Sequence, residues 1–242
     1  MQSVASQTGH RKRRGPGRLH GRGLALGPRR VTALGSPRVV FDFGAVLFRW
    51  RPAVVIAQVW PDLAQSPQRL ERAVADCFQG YDGDWGLFDQ GLIDAEELAQ
   101  RHERRLGWPA ARVRDLVTAA AAELQPQPDV LAVLLALRAQ GHRLSFLSNM
   151  PKDLVAALRE RYPLSDWFED GVFSSEVKLR KPDPAVFALA TARFGEAVGD
   201  CLLIDDHPSN VAAARAHGWQ AELFTDAGSL RVALVRRGLL PQ

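Results

Sequence analysis

The stretch Arg38-Val39-Val40-Phe41-Asp42-Phe43-Gly44-Ala45-Val46-Leu47 decides the fold. Its first half is a short apolar run with β-branched residues, the pattern of a strand buried on both faces. Asp42 stands where that run ends, and an ionisable residue at the end of a buried strand is unusual. In open parallel sheets, ligands bind at the carboxyl ends of the strands. Asp42 is therefore the first candidate for chemistry.

Downstream, residues 53 to 125 read as helical throughout, with Pro52 and Pro61 marking the start. Asp94, followed three residues later by Glu97, signals a helix start, and Gly107 stops that helix. Arg112 to Leu124 forms another helix. Gln125-Pro126-Gln127-Pro128 reads as a hinge. From Val130 onward, helix and strand alternate. Helices are expected over 130–140, 152–162, 183–194 and 210–217, and strands over 143–147, 171–174, 201–204 and 220–224. Such alternation implies an α/β fold, a parallel sheet with helices on both faces. The expected domains are a core of residues 38–52 and 127–242 with a helical insert at 53–126.

Upstream, residues 1–37 hold eight Arg and Lys and no acid. Because the whole chain carries only +4, the remainder carries a net −4. Residues 1–37 are expected to be a basic, disordered extension, and nucleic-acid binding is expected only through it, if at all. The segment lacks the apolar core of a secretory signal. No apolar run is long enough to span a membrane. Cys77 and Cys201 form neither a disulfide framework nor a metal motif, so a reducing cytoplasm is the expected location. The oligomeric state is not legible.

Polar groups end three strands: Asp42, Ser148 with Asn149, and Asp205 with Asp206. A fourth cluster, Arg180-Lys181-Pro182-Asp183-Pro184, lies between a strand and a helix. A doubly wound sheet brings such ends to one edge. Clustered carboxylates repel and need a cation, and oxygen donors at a phosphate site point to Mg²⁺. Each residue also has an ordinary role open to it. Asp42 could cap a strand end, Ser148-Asn149 could be a turn, and Asp205-Asp206 could cap a helix. Lys178 and Arg180 read as solvated, His207 as a loop residue and Asn210 as structural.

In this order and at these element ends, Asp42-Phe-Gly-Ala-Val, Ser148-Asn149, Lys181-Pro-Asp-Pro and Asp205-Asp206 with Asn210 resemble the four motifs of the haloacid dehalogenase superfamily. The resemblance runs from about Val39 to Gly218. It implies a Rossmann-like core with an α-helical cap, and a Mg²⁺-dependent phosphatase acting on a small phosphorylated metabolite. By that resemblance Asp42 is the nucleophile and also a metal ligand, and Gly44 gives a backbone carbonyl to the metal. Ser148 and the Asn149 N–H hold phosphoryl oxygens, and Lys181 neutralises charge. Asp206 binds the metal directly and Asp205 binds it through water.

The sequence departs from the pattern at Gly44, where most phosphatases of the superfamily carry the Asp that serves as general acid and base. Such help is worth about 10²–10⁴-fold. Its absence leads to an expectation of substrates with good leaving groups, such as a sugar 1-phosphate. It also admits two alternatives, a 2-haloacid dehalogenase or a non-catalytic protein that binds a phosphorylated ligand or a partner. Among cap residues, Tyr81, Asp84, Trp85 and Phe88 are candidates to face the cleft.

Overall fold

The structure is a computed structural model and describes residues 35–242. The expectations for the basic extension lie outside the described residues as far as residue 34. Strand β1 (Arg38–Phe41) is followed by helices α1 (Pro52–Val59), α2 (Pro67–Phe78), α3 (Asp84–Asp89), α4 (Ala95–Leu106) and α5 (Ala110–Glu123). Next come α6 (Pro128–Ala139), β2 (Leu144–Ser148), α7 (Lys152–Arg161), α8 (Leu164–Trp167), β3 (Asp170–Phe173) and α9 (Ser174–Val177). The chain continues through α10 (Pro184–Phe194), β4 (Cys201–Asp205), α11 (Pro208–His217), β5 (Gln220–Leu223) and α12 (Ala227–Arg236).

Among the described residues, the strands form one parallel sheet in the order β3-β2-β1-β4-β5. Both faces are covered, as all-parallel sheets require. Alternate residues of the strands point to opposite faces. Val39, Phe41, Leu202 and Ile204 pack with apolar residues of α6, α7 and α12. Val40, Leu203 and Cys201 pack with Val186, Phe187 and Ala190 of α10 and with Val211 and Ala214 of α11.

The strand order reverses at β1, so the crevice between the ends of β1 and β4 is the switch point at which such sheets bind ligands. Phe41 lies beside Ile204 in the register, which sets Asp42 level with Asp205.

The helical segment after β1 is not continuous. It breaks around Trp60, between α2 and α3, and at Gly107, whose left-handed φ of 69° closes α4. Its start signal acts as expected, with the Asp94 carboxylate accepting from the Glu97 N–H at 2.8 Å. Helices α1 to α5 share one apolar cluster, including Ile56, Phe78, Trp85, Leu98 and Leu116. The two chain crossings that join this segment to the sheet lie side by side. The Arg49 N–H donates to the Gln125 carbonyl at 2.9 Å, and the Gln127 N–H donates to the Leu47 carbonyl at 2.8 Å. Arg51 pairs with Glu123 at 2.5 Å.

Candidate active site

The site begins with an aromatic anchor. Phe43 is fully buried against Phe48, Phe146 and Phe173, with ring centroids 5.0, 4.7 and 5.4 Å away. The chain then turns back, with the Phe48 N–H donating to the Phe43 carbonyl at 2.7 Å and Ala45 at φ 60°. This turn fixes the residue before it. Asp42 continues the ladder through its N–H to the Ile204 carbonyl at 2.9 Å. Its Oδ1 accepts from the Phe43 N–H at 2.7 Å and lies 3.0 Å from Lys181 Nζ. Its Oδ2 takes no hydrogen bond among the described residues.

Lys181 is buried and bridges two acids. Its Nζ donates to Asp205 Oδ2 at 2.5 Å as well as facing Asp42. Asn149 holds the lysine's backbone from both sides. Its Oδ1 accepts from the Lys181 N–H, and its Nδ2 donates to the Lys181 carbonyl, both at 2.8 Å. Asp205 is fully buried and saturated. Besides Lys181, its carboxylate accepts from the His207 N–H at 2.9 Å and from Asn210 Nδ2 at 3.0 Å. Neither aspartate of the pair caps α11, which begins at Pro208 after His207.

Asp42, Asp205 and Asp206 each offer an oxygen within 4.8 Å of the others. Among the described residues, one ammonium, that of Lys181, stands among these three carboxylates. Burial pushes the Asp42 pKa up to about 7, with Asp205 and Asp206 adding to the rise and Lys181 opposing it. Burial, then Asp205, pushes Asp206 up to about 6. Burial alone would lower the Lys181 pKa, but the two carboxylates, Asp205 foremost, hold it above its ordinary value. A divalent cation would relieve this repulsion, and the hard oxygen donors suit Mg²⁺.

A cavity of about 400 Å³ opens over this spot. Asp42, Gly44, Asn149, Lys181 and Asp206 line it, whereas Ser148 and Asp205 lie behind its wall. Ser148 Oγ is buried with no hydrogen-bond partner among the described residues. An orphaned hydroxyl of this kind costs about 1–3 kcal/mol, which a bound oxyanion would offset. Of the cap candidates, Tyr81 and Trp85 reach the cavity. Phe88 is buried in the core, and Asp84 pairs with Arg101 and Arg105.

Sequence reasoning missed three features. Arg180 is half-buried rather than free in solvent: it lines the cavity and pairs with Asp82 at 3.0 Å. His207 stands on the cavity wall, not merely in a loop. Asp89, at the end of α3, also lines the cavity while only 5% exposed. An acid in the apolar context Trp85-Gly-Leu-Phe-Asp89 was the signal for it.

The chain is similar to several known proteins. The chain is 26% identical over 189 residues to the sesquiterpene phosphatase astK of Aspergillus oryzae, covering 78% of this chain and 89% of that protein. A phosphoglycolate phosphatase of Rhodospirillum rubrum is 37% identical over 91 residues, 38% of each chain. A haloacid dehalogenase family enzyme of Bacteroides thetaiotaomicron, solved with magnesium and inorganic phosphate, superposes with a TM-score of 0.63 at 23% identity, over 80% of this chain and 96% of that one. The L-2-haloacid dehalogenase of Xanthobacter autotrophicus, with chloropropionic acid covalently bound, superposes with a TM-score of 0.59 at 22% identity over 85% of each chain. At those identities the two structural likenesses establish the fold. Haloacid dehalogenase-like hydrolases match residues 38–218, from β1 to the end of α11 and so across every polar strand end gathered at the switch point, and the chain belongs to that family.

Proposed function

We propose that the protein is a Mg²⁺-dependent phosphomonoester hydrolase that works through an aspartyl-phosphate on Asp42. The observation that carries the proposal is the convergence of Asp42, Lys181, Asp205 and Asp206 at the switch point. Asp42 attacks phosphorus with the oxygen that no protein group holds. Lys181 stabilises charge building on the phosphoryl group from a fixed position. Asn149 keeps its backbone in place, and Asp205 orients its ammonium. Ser148 Oγ and the Asn149 N–H receive phosphoryl oxygens. Asp42, Asp206 and the Gly44 carbonyl would hold the metal, with Asp205 behind them. When bound, the ion supplies Lewis-acid polarisation of the phosphoryl oxygen. Three acids around one ammonium favour this chemistry over haloacid hydrolysis.

The helices of residues 53–126 act as the cap that selects the substrate, and 38–52 with 127–242 act as the catalytic core. Beyond the polar floor the cavity walls carry Trp50, Tyr81, Trp85, Leu124, Met150 and Leu154, and of the polar groups beside them Asp82 pairs with Arg180 and His207 with Ser209. A sugar needs a hydrogen-bond partner for each hydroxyl, and an apolar alcohol needs none. These walls therefore support a small phosphate ester with an apolar alcohol rather than the expected sugar 1-phosphate. The likeness to a sesquiterpene phosphatase points the same way. Both cysteines are buried and free, in keeping with a reducing cytoplasm. No helix among the described residues is long and apolar enough to cross a membrane.

The test is hydrolysis of p-nitrophenyl phosphate, a long-chain prenyl monophosphate and glucose 1-phosphate, with Mg²⁺ and with EDTA. Turnover is expected on the first two, is lost in EDTA and is lost in Asp42→Asn. Turnover in EDTA equal to that in Mg²⁺, or an Asp42→Asn variant as active as the wild type, overturns the proposal.

A further inference from the structure

Gly44 leaves the nucleophile's own loop without a general acid, yet nothing in the backbone imposes glycine there. Its φ is not among the positive values, and a Cβ would meet only Trp50, at 3.8 Å. We propose that the missing function has moved to another element lining the same cavity, and that Asp89 is the general acid and base of the phosphatase reaction proposed above, on which this inference rests.

Asp89 shares the cavity with Asp42, Gly44, Lys181 and Asp206. Its backbone is fixed to the core. The Asp89 carbonyl accepts from Ser174 Oγ at 2.5 Å, and the side chain of the next residue, Gln90, donates to the Lys178 carbonyl at 2.7 Å. Its carboxyl group forms no ion pair among the described residues, and Arg180 beside it is paired with Asp82. A buried acid without an ion pair is costly, and a hydrogen bond from the Trp85 indole and the nearby Arg180 charge offset only part of that cost.

The groups acting on the carboxyl are few. Burial raises its pKa well above the carboxylate range and Asp42 adds to the rise, while Arg180 and the Trp85 indole pull it down. The rise favours the protonated form of the side chain, the form that donates a proton to a leaving oxygen.

The two steps balance. Asp42 attacks phosphorus, the bond from phosphorus to the ester oxygen breaks, and its electron pair stays on that oxygen. The Asp89 proton moves to the oxygen, releasing an alcohol and leaving Asp89 as a carboxylate. Water then attacks the aspartyl-phosphate and gives a proton back to Asp89, and the bond between phosphorus and Asp42 breaks. Inorganic phosphate and the starting enzyme result.

The experiment measures leaving-group release in a single turnover for a series of aryl and alkyl phosphates, with wild type and Asp89→Asn, in Mg²⁺. The wild type should show a shallow dependence on leaving-group pKa. Asp89→Asn should show a steep one, with its loss smallest for p-nitrophenyl phosphate and reaching about 10²–10⁴-fold for alkyl esters. Adding Gly44→Asp to Asp89→Asn should flatten the dependence again. An equal loss for every leaving group, or no loss, overturns the proposal. A steep dependence in the wild type overturns it without any variant, so a misfolded Asp89→Asn protein leaves it testable. A wild type inactive on every ester instead counts against the phosphatase reading itself.

Discussion

Lys181 shows how much a single residue holds together here. It is 1% exposed and, among the described residues, is the sole cation contacting Asp42 and Asp205. Removing one partner of a buried pair strands the other and costs about 3–5 kcal/mol. Lys181→Met is therefore expected to lose turnover and to lower the urea midpoint by an amount equivalent to that cost. An unchanged midpoint would show that Asp205 does not depend on it. Asp42, Asp205 and Asp206 were legible because each stands at or next to the end of a strand that apolar periodicity identifies, and Lys181 because it opens the Lys-Pro-Asp-Pro run before α10. The Asn149 side chain, Arg180 and Asp89 act through partners far away in sequence. Asn149 meets Lys181 only after the β2 and β3 ends are placed, and Asp89 reaches the cavity only once α3 docks on Ser174.

At the scale of elements, local signals were reliable wherever backbone chemistry is local. Asp94 caps α4, and left-handed Gly107 and Gly218 end α4 and α11. Asp94→Ala should cost about 1 kcal/mol of stability, read by chemical denaturation, with little change in turnover because α4 supplies no residue to the cavity. Helix α12 went unread although its start was present. The Asp226 carboxylate accepts from the Ser229 N–H at 2.8 Å, and Leu230, Ala233 and Leu234 form its buried face. Helices α8 and α9, four residues each, are too short to show a period. The break between α2 and α3 was hidden for another reason. Gln79, Gly80 and Tyr81 are all left-handed, at φ 48°, 60° and 66°. Propensity does not foresee such a run for Gln and Tyr. The break swings Tyr81 to the cavity, where its hydroxyl accepts from the Trp50 indole at 2.8 Å.

For the whole molecule, the acids at the switch point link the proposed Mg²⁺ site to protonation and to folding. Asp42 and Asp206 titrate above their ordinary 3.8, at about 7 and about 6. The metal-free native state thus binds more protons than the unfolded chain, and stability is lost as pH rises from about 4 to about 7. Mg²⁺ needs the deprotonated carboxylates, so its stabilising effect grows over the same range. The melting temperature without metal should fall between about pH 5 and pH 8. The rise on adding Mg²⁺ should be larger at pH 8 and absent in Asp206→Asn. An equal rise at both pH values would break this linkage. The α/β class was legible in the alternation of elements after Val130. The order β3-β2-β1-β4-β5 was not, because pairing between distant segments leaves no local mark. The paired crossings at Arg49–Gln125 and Leu47–Gln127, locked by Arg51 and Glu123, have one further consequence. They make the helical segment a loop whose ends are already joined. Closure entropy grows only logarithmically, at about 0.6 kcal/mol for each doubling of length. Helices can therefore be lengthened, shortened or exchanged inside that loop almost without disturbing the sheet, and descendants of this chain can acquire new substrates while keeping the same catalytic floor.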